Sequence, residues 1–374
     1  VRRDQPTVAF LFLGETLLIP HLWPIVEALS AAAPDIAIDC WIATSVHEAL
    51  LGRWSAGLAN VCLRRAPGFK AVVDPEDGHN PPLPAKLPML ARLAPRLLGT
   101  RIAVCAEQTS LWIPTILPFH PTRFVKTSHG VGSMSARDDR RRRAAALMLV
   151  PSERERATYL QRGFPADRVR ATGYVKASFA HHTPARALFP DDKPVVAYVP
   201  HWQRQRSSWW DWGRQVVAML AAQARFNVIL APHQRLVETE PGISAALAKV
   251  ADRPNVHADT QSFAMVDGSY MAAADIYLGD TSSQVVEFLT RPRPCIFLNP
   301  QALDWQATND HDFWQCGDVI DRLDALPRAL EIAEVRHAVY RERQDAFATS
   351  ALGDTSGAAA AQAAAAILDI LGRR

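Results

Sequence analysis

Cysteine pairs at CxxC spacing are missing from this chain. Its five cysteines, Cys40, Cys62, Cys105, Cys295 and Cys316, are spread over 374 residues, which excludes a zinc ribbon and leaves no disulfide framework to read. Four of them lie in or beside apolar stretches, the setting of buried reduced thiols. Also missing are an apolar run of about 18 residues and a signal-peptide core, so the expected location is the cytoplasm, with membrane contact limited to peripheral association at the inner face. Charge of one sign is not in excess either. Against 41 basic residues stand 38 acidic ones, a formal net charge of +3, so nucleic acid is not an expected partner. The one basic run, Arg140–Arg143 behind Asp138 and Asp139, reads as a solvated helix face, with an anionic membrane surface as the alternative. Gly14 lacks the companions of a GxGxxG dinucleotide fingerprint. No DxD element stands in a metal-binding context, so neither a metal nor a bound cofactor is expected. There is no repeat of fixed short period.

What is present is a chain long enough for two hydrophobic cores, 48% hydrophobic and 21% charged. Strand and helix patterns alternate along it. Strands are expected over 7–13, 36–43, 70–73, 102–106, 124–127, 146–150 and 168–173, with helices over 19–29, 47–54, 85–93 and 153–162 between them. Ser152 is the expected N-cap of the last of these and Gly163 its stop. After a segment with paired histidines and prolines, 174–193, the pattern restarts. Strands are expected over 195–199, 227–230, 256–258, 276–278 and 295–298, with helices over 209–222, 243–250, 270–274 and 284–289. The alternation implies two parallel α/β domains, each covered by helices, with a cleft between them as the default site. We divide the chain into a Rossmann-like acceptor-side domain over 1–180, a nucleotide-donor domain over 181–345, and a terminal helix over 346–374 that is able to pack back on the first domain.

The second half is organised around residues 275–300, DIYLGDTSSQVVEFLTRPRPCIFLNP. An apolar strand there ends at Gly279-Asp280-Thr281-Ser282-Ser283 and a helix follows. Amide groups at a helix start, with the hydroxyls of Thr281, Ser282 and Ser283, suit a pyrophosphate; the plain alternative is an ordinary N-cap. For Asp280 capping is preferred to substrate contact. Glu287, on the helix itself, is able to accept hydrogen bonds from a ribose diol; its other reading is a surface carboxylate at a helix start.

Three histidines stand just past strands. His129 lies in T-S-H-G-V-G-S, where Gly130 and Gly132 leave room for a substrate hydroxyl whose proton the imidazole would take; a turn histidine bonded to the backbone is the alternative. His233 in L-A-P-H-Q and His201 in Y-V-P-H-W follow strands of the second half. One histidine acting as base and another as donor to phosphate is the division of labour that this placement suggests. Gly14 and Glu15, past the first strand, complete the acceptor-side candidates. Trp202, Trp209, Trp210 and Trp212 include core anchors, an aromatic wall against an acceptor being the alternative.

The set T-S-H-G at 127–130, Y-V-P-H-W at 198–202, L-A-P-H at 230–233 and G-D-T-S-S-Q-V-V-E-F at 279–288 resembles the bacterial CDP-glycerol glycerophosphotransferases of teichoic-acid synthesis. The resemblance spans roughly residues 126–300. It implies a GT-B fold, two Rossmann-like domains with parallel sheets facing across a cleft and the nucleotide held mainly by the second. His129-Gly130 matches the family's proposed base, His233 its phosphate contact, residues 279–283 its pyrophosphate segment and Glu287 the acidic residue behind it. The chain departs from the family at Val199 and His201, where Ala and Thr are usual, at Ala231, where Lys is frequent, and at Gln234, where Pro is usual. UDP-N-acetylglucosamine 2-epimerases and many GT-B glycosyltransferases share the strand-serine-helix-glutamate arrangement.

The expected activity is transfer of glycerol phosphate, or a related group, from a CDP-linked donor to a hydroxyl of a cell-envelope glycan or lipid-linked acceptor. A glycosyltransferase using a nucleotide sugar ranks next, then an epimerase, then a non-catalytic nucleotide-binding protein. The nucleotide diphosphate enters in each case as substrate rather than cofactor.

Overall fold

The computed structural model describes residues 7–130, 138–282, 284–307 and 309–372. They form two compact units: 1–181 together with 350–374, and 182–349.

The first unit is built on a parallel sheet of β1 (Thr7–Phe12), β2 (Ala37–Thr44), β3 (Val61–Lys70), β4 (Ile102–Cys105), β5 (Arg123–Thr127), β6 (Leu147–Val150) and β7 (Val169–Ala171). The strand order is β3-β2-β1-β4-β5-β6-β7. β1, β4 and β6 are short apolar runs buried along nearly their whole length, as strands covered on both faces must be. The chain winds outward from β1 to β3 and then returns to the other side of β1 with β4. That reversal creates a switch point at the carboxyl ends of β1 and β4. The helix Ala359–Gly372 packs against the helix Trp23–Ala32, which places the chain's last helix on this unit. Gly173 makes the junction possible: its φ is +84°, and a Cβ there would stand 2.7 Å from the Asp354 carbonyl oxygen.

The second unit repeats the plan with β8 (Val195–Val199), β9 (Asn227–Leu230), β10 (Val256–Ala258), β11 (Ile276–Gly279), β12 (Cys295–Leu298) and β13 (Asp318–Ile320). All pairs are parallel and the order is β10-β9-β8-β11-β12-β13. Here the switch point lies between β8 and β11, where Leu278 pairs with Tyr198.

Several local expectations are corrected. The third strand runs over Val61–Lys70 rather than 70–73. It is an edge strand with three charged residues, Pro67 and Gly68, so it carries no apolar run. The helix expected to begin at 209 becomes α-helical only at Arg214, a wider turn occupying Trp209–Gly213. The helix Gln234–Thr239 and the strand β13 were not expected. Arg140–Arg143 is not wholly a solvated face: Arg142 is buried and donates to the Tyr159 hydroxyl at 2.9 Å. Cys62 is the exposed thiol of the five. Among the described residues, no helix is long and apolar enough to cross a membrane.

Candidate functional site

At the switch point of the second unit, Asp280 directly follows β11 and is buried. Its Oδ1 accepts the His201 amide at 2.9 Å; its Oδ2 accepts the Ser208 amide at 2.6 Å and the Ser208 hydroxyl at 2.9 Å. Burial pushes the carboxyl's pKa up to about 7, and these donors oppose the shift. Asp280 is therefore a brace between two strand ends, not a helix cap and not a ligand for an anionic donor. At the start of the helix that follows, the Ser282 Oγ accepts the Gln284 amide at 3.3 Å.

The loop that Asp280 fixes carries His201, and His233 lies beside it at the end of β9, their rings 5.9 Å apart edge to face. In each ring Nδ1 is an acceptor: it takes the Gln203 amide in His201 and the Arg235 amide in His233, both at 3.1 Å. A neutral imidazole whose Nδ1 accepts must carry its proton on Nε2. Desolvation, reinforced by Arg206 and Arg235, lowers the His201 pKa to about 4; desolvation, with His201 and Arg235, lowers that of His233 to about 3. Both rings are thus neutral Nε2–H donors near pH 7. The Arg235 guanidinium lies over the Trp202 ring, 5.3 Å from its centroid. Trp209 is buried in the core, with Trp202, Trp210 and Trp212 packed against it.

Gly279, Thr281 and Ser282 follow at the same end of β11, and Glu287 stands half-buried on the helix Gln284–Phe288. Ser283, like Gly132 in the first unit, lies outside the described residues. Thr281 is only 6% exposed, and its hydroxyl meets no hydrogen-bond partner among the described residues. It lines a small cavity of about 10 Å³ with Ser207, Ser208, Asn299, His311 and Trp314. Sequence reasoning missed Asn299 and Trp314, although Asn299 directly follows the buried strand β12. It also gave no role to Gln234, buried next to His233 with neither end of its amide hydrogen-bonded among the described residues.

In the first unit, Gly14 and Glu15 follow β1, Glu107 follows β4 and His129 follows β5. Gly14 leaves this spot open: a Cβ would stand 2.5 Å from Leu18 Cδ1 and 3.0 Å from Glu107 Oε2, so those side chains would have to shift. Glu107 was not anticipated. It is buried, paired with Lys86 Nζ at 2.8 Å, and accepts the Ser110 hydroxyl at 2.8 Å. His129 is exposed, and its Nδ1 donates to the Ala106 carbonyl at 2.8 Å. A carbonyl only accepts, so Nδ1 carries a proton, and in the neutral ring the lone pair is on Nε2, the reverse of His201 and His233. Gly130 follows, half-buried. Beneath the site, buried Lys126 donates to the carbonyls of Ala106 and Thr127, and desolvation lowers its pKa to about 8. Among the described residues no group of three or more His, Cys, Asp or Glu could hold a metal ion.

Comparison with solved structures places this architecture. The wall teichoic acid polymerase TagF aligns over 99% of this chain and 90% of its own, with TM-score 0.64 and 13% identity. The fold is of the GT-B type. Two other GT-B likenesses are a putative UDP-N-acetylglucosamine 2-epimerase from Listeria monocytogenes and the UDP-GlcNAc 2-epimerase from Neisseria meningitidis bound to UDP-GlcNAc. The first covers 99% of this chain and 98% of its own, with TM-score 0.64 and 12% identity. The second covers 99% and 100%, with TM-score 0.57 and 12% identity. No family model matches the chain, and no curated protein does. At these identities the likeness establishes the fold.

Proposed function

We propose that this chain is a transferase acting on a nucleotide-linked donor, with CDP-glycerol as the favoured donor and a hydroxyl of a cell-envelope glycan or lipid-linked molecule as acceptor. The carrying observation is the opposite protonation pattern of the histidines. His129 presents an acceptor nitrogen, whereas His201 and His233 present donors. Transfer needs both. His129 Nε2 takes the proton of the acceptor hydroxyl as that oxygen attacks the donor's distal phosphorus. The phosphoanhydride bond breaks, and the nucleoside monophosphate leaves with the bonding pair. The Nε2–H groups of His201 and His233, with Thr281 and Ser282, stabilise the charge that gathers on its oxygens. Glu287 accepts the ribose hydroxyls. The closeness of GT-B folds to one another makes the polymerase likeness supporting rather than decisive.

A second reading, a nucleotide-sugar enzyme, has one observation in its favour: the two epimerase likenesses span 98% and 100% of those chains. A donor screen separates the readings. Release of CMP from CDP-glycerol that depends on a hydroxyl acceptor supports the proposal. Release of UDP with a new glycosidic link indicates a glycosyltransferase, and interconversion of UDP-GlcNAc without an acceptor indicates an epimerase. Nucleotide binding without turnover against a broad acceptor panel would leave a binding protein.

A further inference from the structure

Four consecutive apolar residues of the first unit, Ile116, Leu117, Pro118 and Phe119, are exposed. Phe119 is 97% exposed, Ile116 63% and Leu117 46%, and Leu98, on the neighbouring segment, is 57% exposed. Such a run is costly in water and marks a surface made to be covered. It is not a loose loop. The His120 ring is bonded to the Ala94 carbonyl at 3.0 Å, the Thr122 hydroxyl donates to the carbonyls of Leu97 and Thr100 at 2.7 and 2.8 Å, and the Thr122 amide donates to His120 Nδ1 at 3.2 Å. These bonds hold the turn against residues 94–100, so Leu98 and Phe119 belong to one face. It lies at the amino ends of β4 and β5, the opposite end of β5 from His129.

The charge along the stretch that carries this face is one-sided. Between residues 86 and 123 the cations are Lys86, Arg92, Arg96, Arg101 and Arg123, and the single acid is Glu107, buried and bonded to Lys86. Arg92, Arg96 and Arg101 are exposed and make no ion pair among the described residues. Arg101 and Arg123 stand close enough for Arg101 to lower the proton affinity of Arg123, after desolvation. On the neighbouring helix Arg140–Arg143, Asp138 pairs with Arg143, and Asp139 with Arg141 and Arg142.

We infer that this face docks on an anionic lipid bilayer, with Phe119, Ile116, Leu117 and Leu98 entering the interface and Arg96, Arg101 and Arg92 facing the headgroups. A projecting tip fits a deformable medium without needing a matching pocket, and the exposed cations Arg92, Arg96 and Arg101, unpaired among the described residues, complement acidic phospholipid. A second copy is disfavoured because a two-fold contact would set arginine against arginine. The inference is independent of the reaction, since His129 lies at the far end of β5.

The test is co-sedimentation of the full chain with vesicles of phosphatidylcholine alone and of phosphatidylcholine mixed equally with phosphatidylglycerol. Two variants, Ile116→Ser/Phe119→Ser and Arg96→Glu/Arg101→Glu, are compared with the wild type after confirming unchanged unfolding midpoints. Wild-type protein should sediment with the anionic vesicles and much less with the neutral ones. Each double variant should bind the anionic vesicles on the order of tenfold more weakly, the first by losing insertion and the second by losing attraction. Wild-type protein left in the supernatant, variants that bind like wild type, or equal binding to both vesicle types would overturn the inference. A vesicle-free dimer abolished by Ile116→Ser/Phe119→Ser would also overturn it and assign the face to self-association.

Discussion

Asp280 and Ser208 are joined twice, through the Ser208 amide at 2.6 Å and its hydroxyl at 2.9 Å, both reaching Oδ2 of the one carboxylate. The contact closes the loop after β8 onto the end of β11 and, with the His201 amide on Oδ1, sets where His201 stands. It also has a pH signature. Burial raises the folded carboxyl from the ordinary 3.8 to about 7. Between those values the folded state keeps a proton that the unfolded chain has lost, so stability falls as pH rises through this window and levels off above it. The slope should be on the order of 1 kcal/mol per pH unit. Asp280→Asn cannot titrate, so urea midpoints measured from about pH 4 to pH 7 should fall in the wild type relative to the variant. Parallel curves would mean that the carboxyl titrates normally in the folded protein.

The histidine tautomers are directly observable. Nitrogen-15 spectra correlated to ring protons, assigned with single His→Gln variants, should show Nε2 protonated in His201 and His233 and Nδ1 protonated in His129. With pKa values near 4 and 3, His201 and His233 should keep those patterns from pH 8 down to pH 5. An Nδ1–H form of His233 would remove it as a phosphate donor through Nε2.

Much of this arrangement was legible in the sequence, and the physical reason is burial. VVAYV, NVIL and CIFL are short apolar runs buried in full, and the observed β8, β9 and β12 have the expected bounds. The histidines were visible because each stands two or three residues past a strand. Edge strand β3 carries its polar residues toward solvent and left no such signature. Tertiary partners were invisible as well. Asp280 looked like a local cap because its partners lie 72 and 79 residues away. The histidine tautomers depend on a neighbouring amide or carbonyl, which no residue pattern encodes.

If Glu287 holds the ribose diol, its replacement should discriminate between sugars. Glu287→Ala should weaken a ribonucleotide by about 1.5 to 3 kcal/mol, tenfold or more in Kd. The matching 2'-deoxyribonucleotide should lose less, because one hydroxyl is already gone. Isothermal titration of both ligands against both proteins reads the difference. Equal losses would reject diol binding, and no loss would return Glu287 to the role of a helix-start carboxylate.

His129 and His233 should fail in different ways when truncated. A base that acts only as the acceptor hydroxyl loses its proton contributes to the transition state and little to the bound donor. His129→Ala should therefore lower kcat by about 10²- to 10⁴-fold and leave the donor Kd nearly unchanged. His233 donates through Nε2 to oxygens already charged in the ground state, so His233→Ala should raise the donor Kd as well as lower turnover. Because the Arg235 amide loses its acceptor in that variant, an unfolding curve is needed beside the kinetics. His233→Asn is the fair control, its side-chain oxygen able to take the Arg235 amide while the Nε2–H is lost. Donor affinity would be titrated for each protein, and turnover measured at saturating donor and acceptor. Near-wild-type turnover in His129→Ala would leave that residue a turn histidine tied to the Ala106 carbonyl. Equal loss of donor affinity in the His129 and His233 variants would move His129 into the donor site and take away the division between base and phosphate donor.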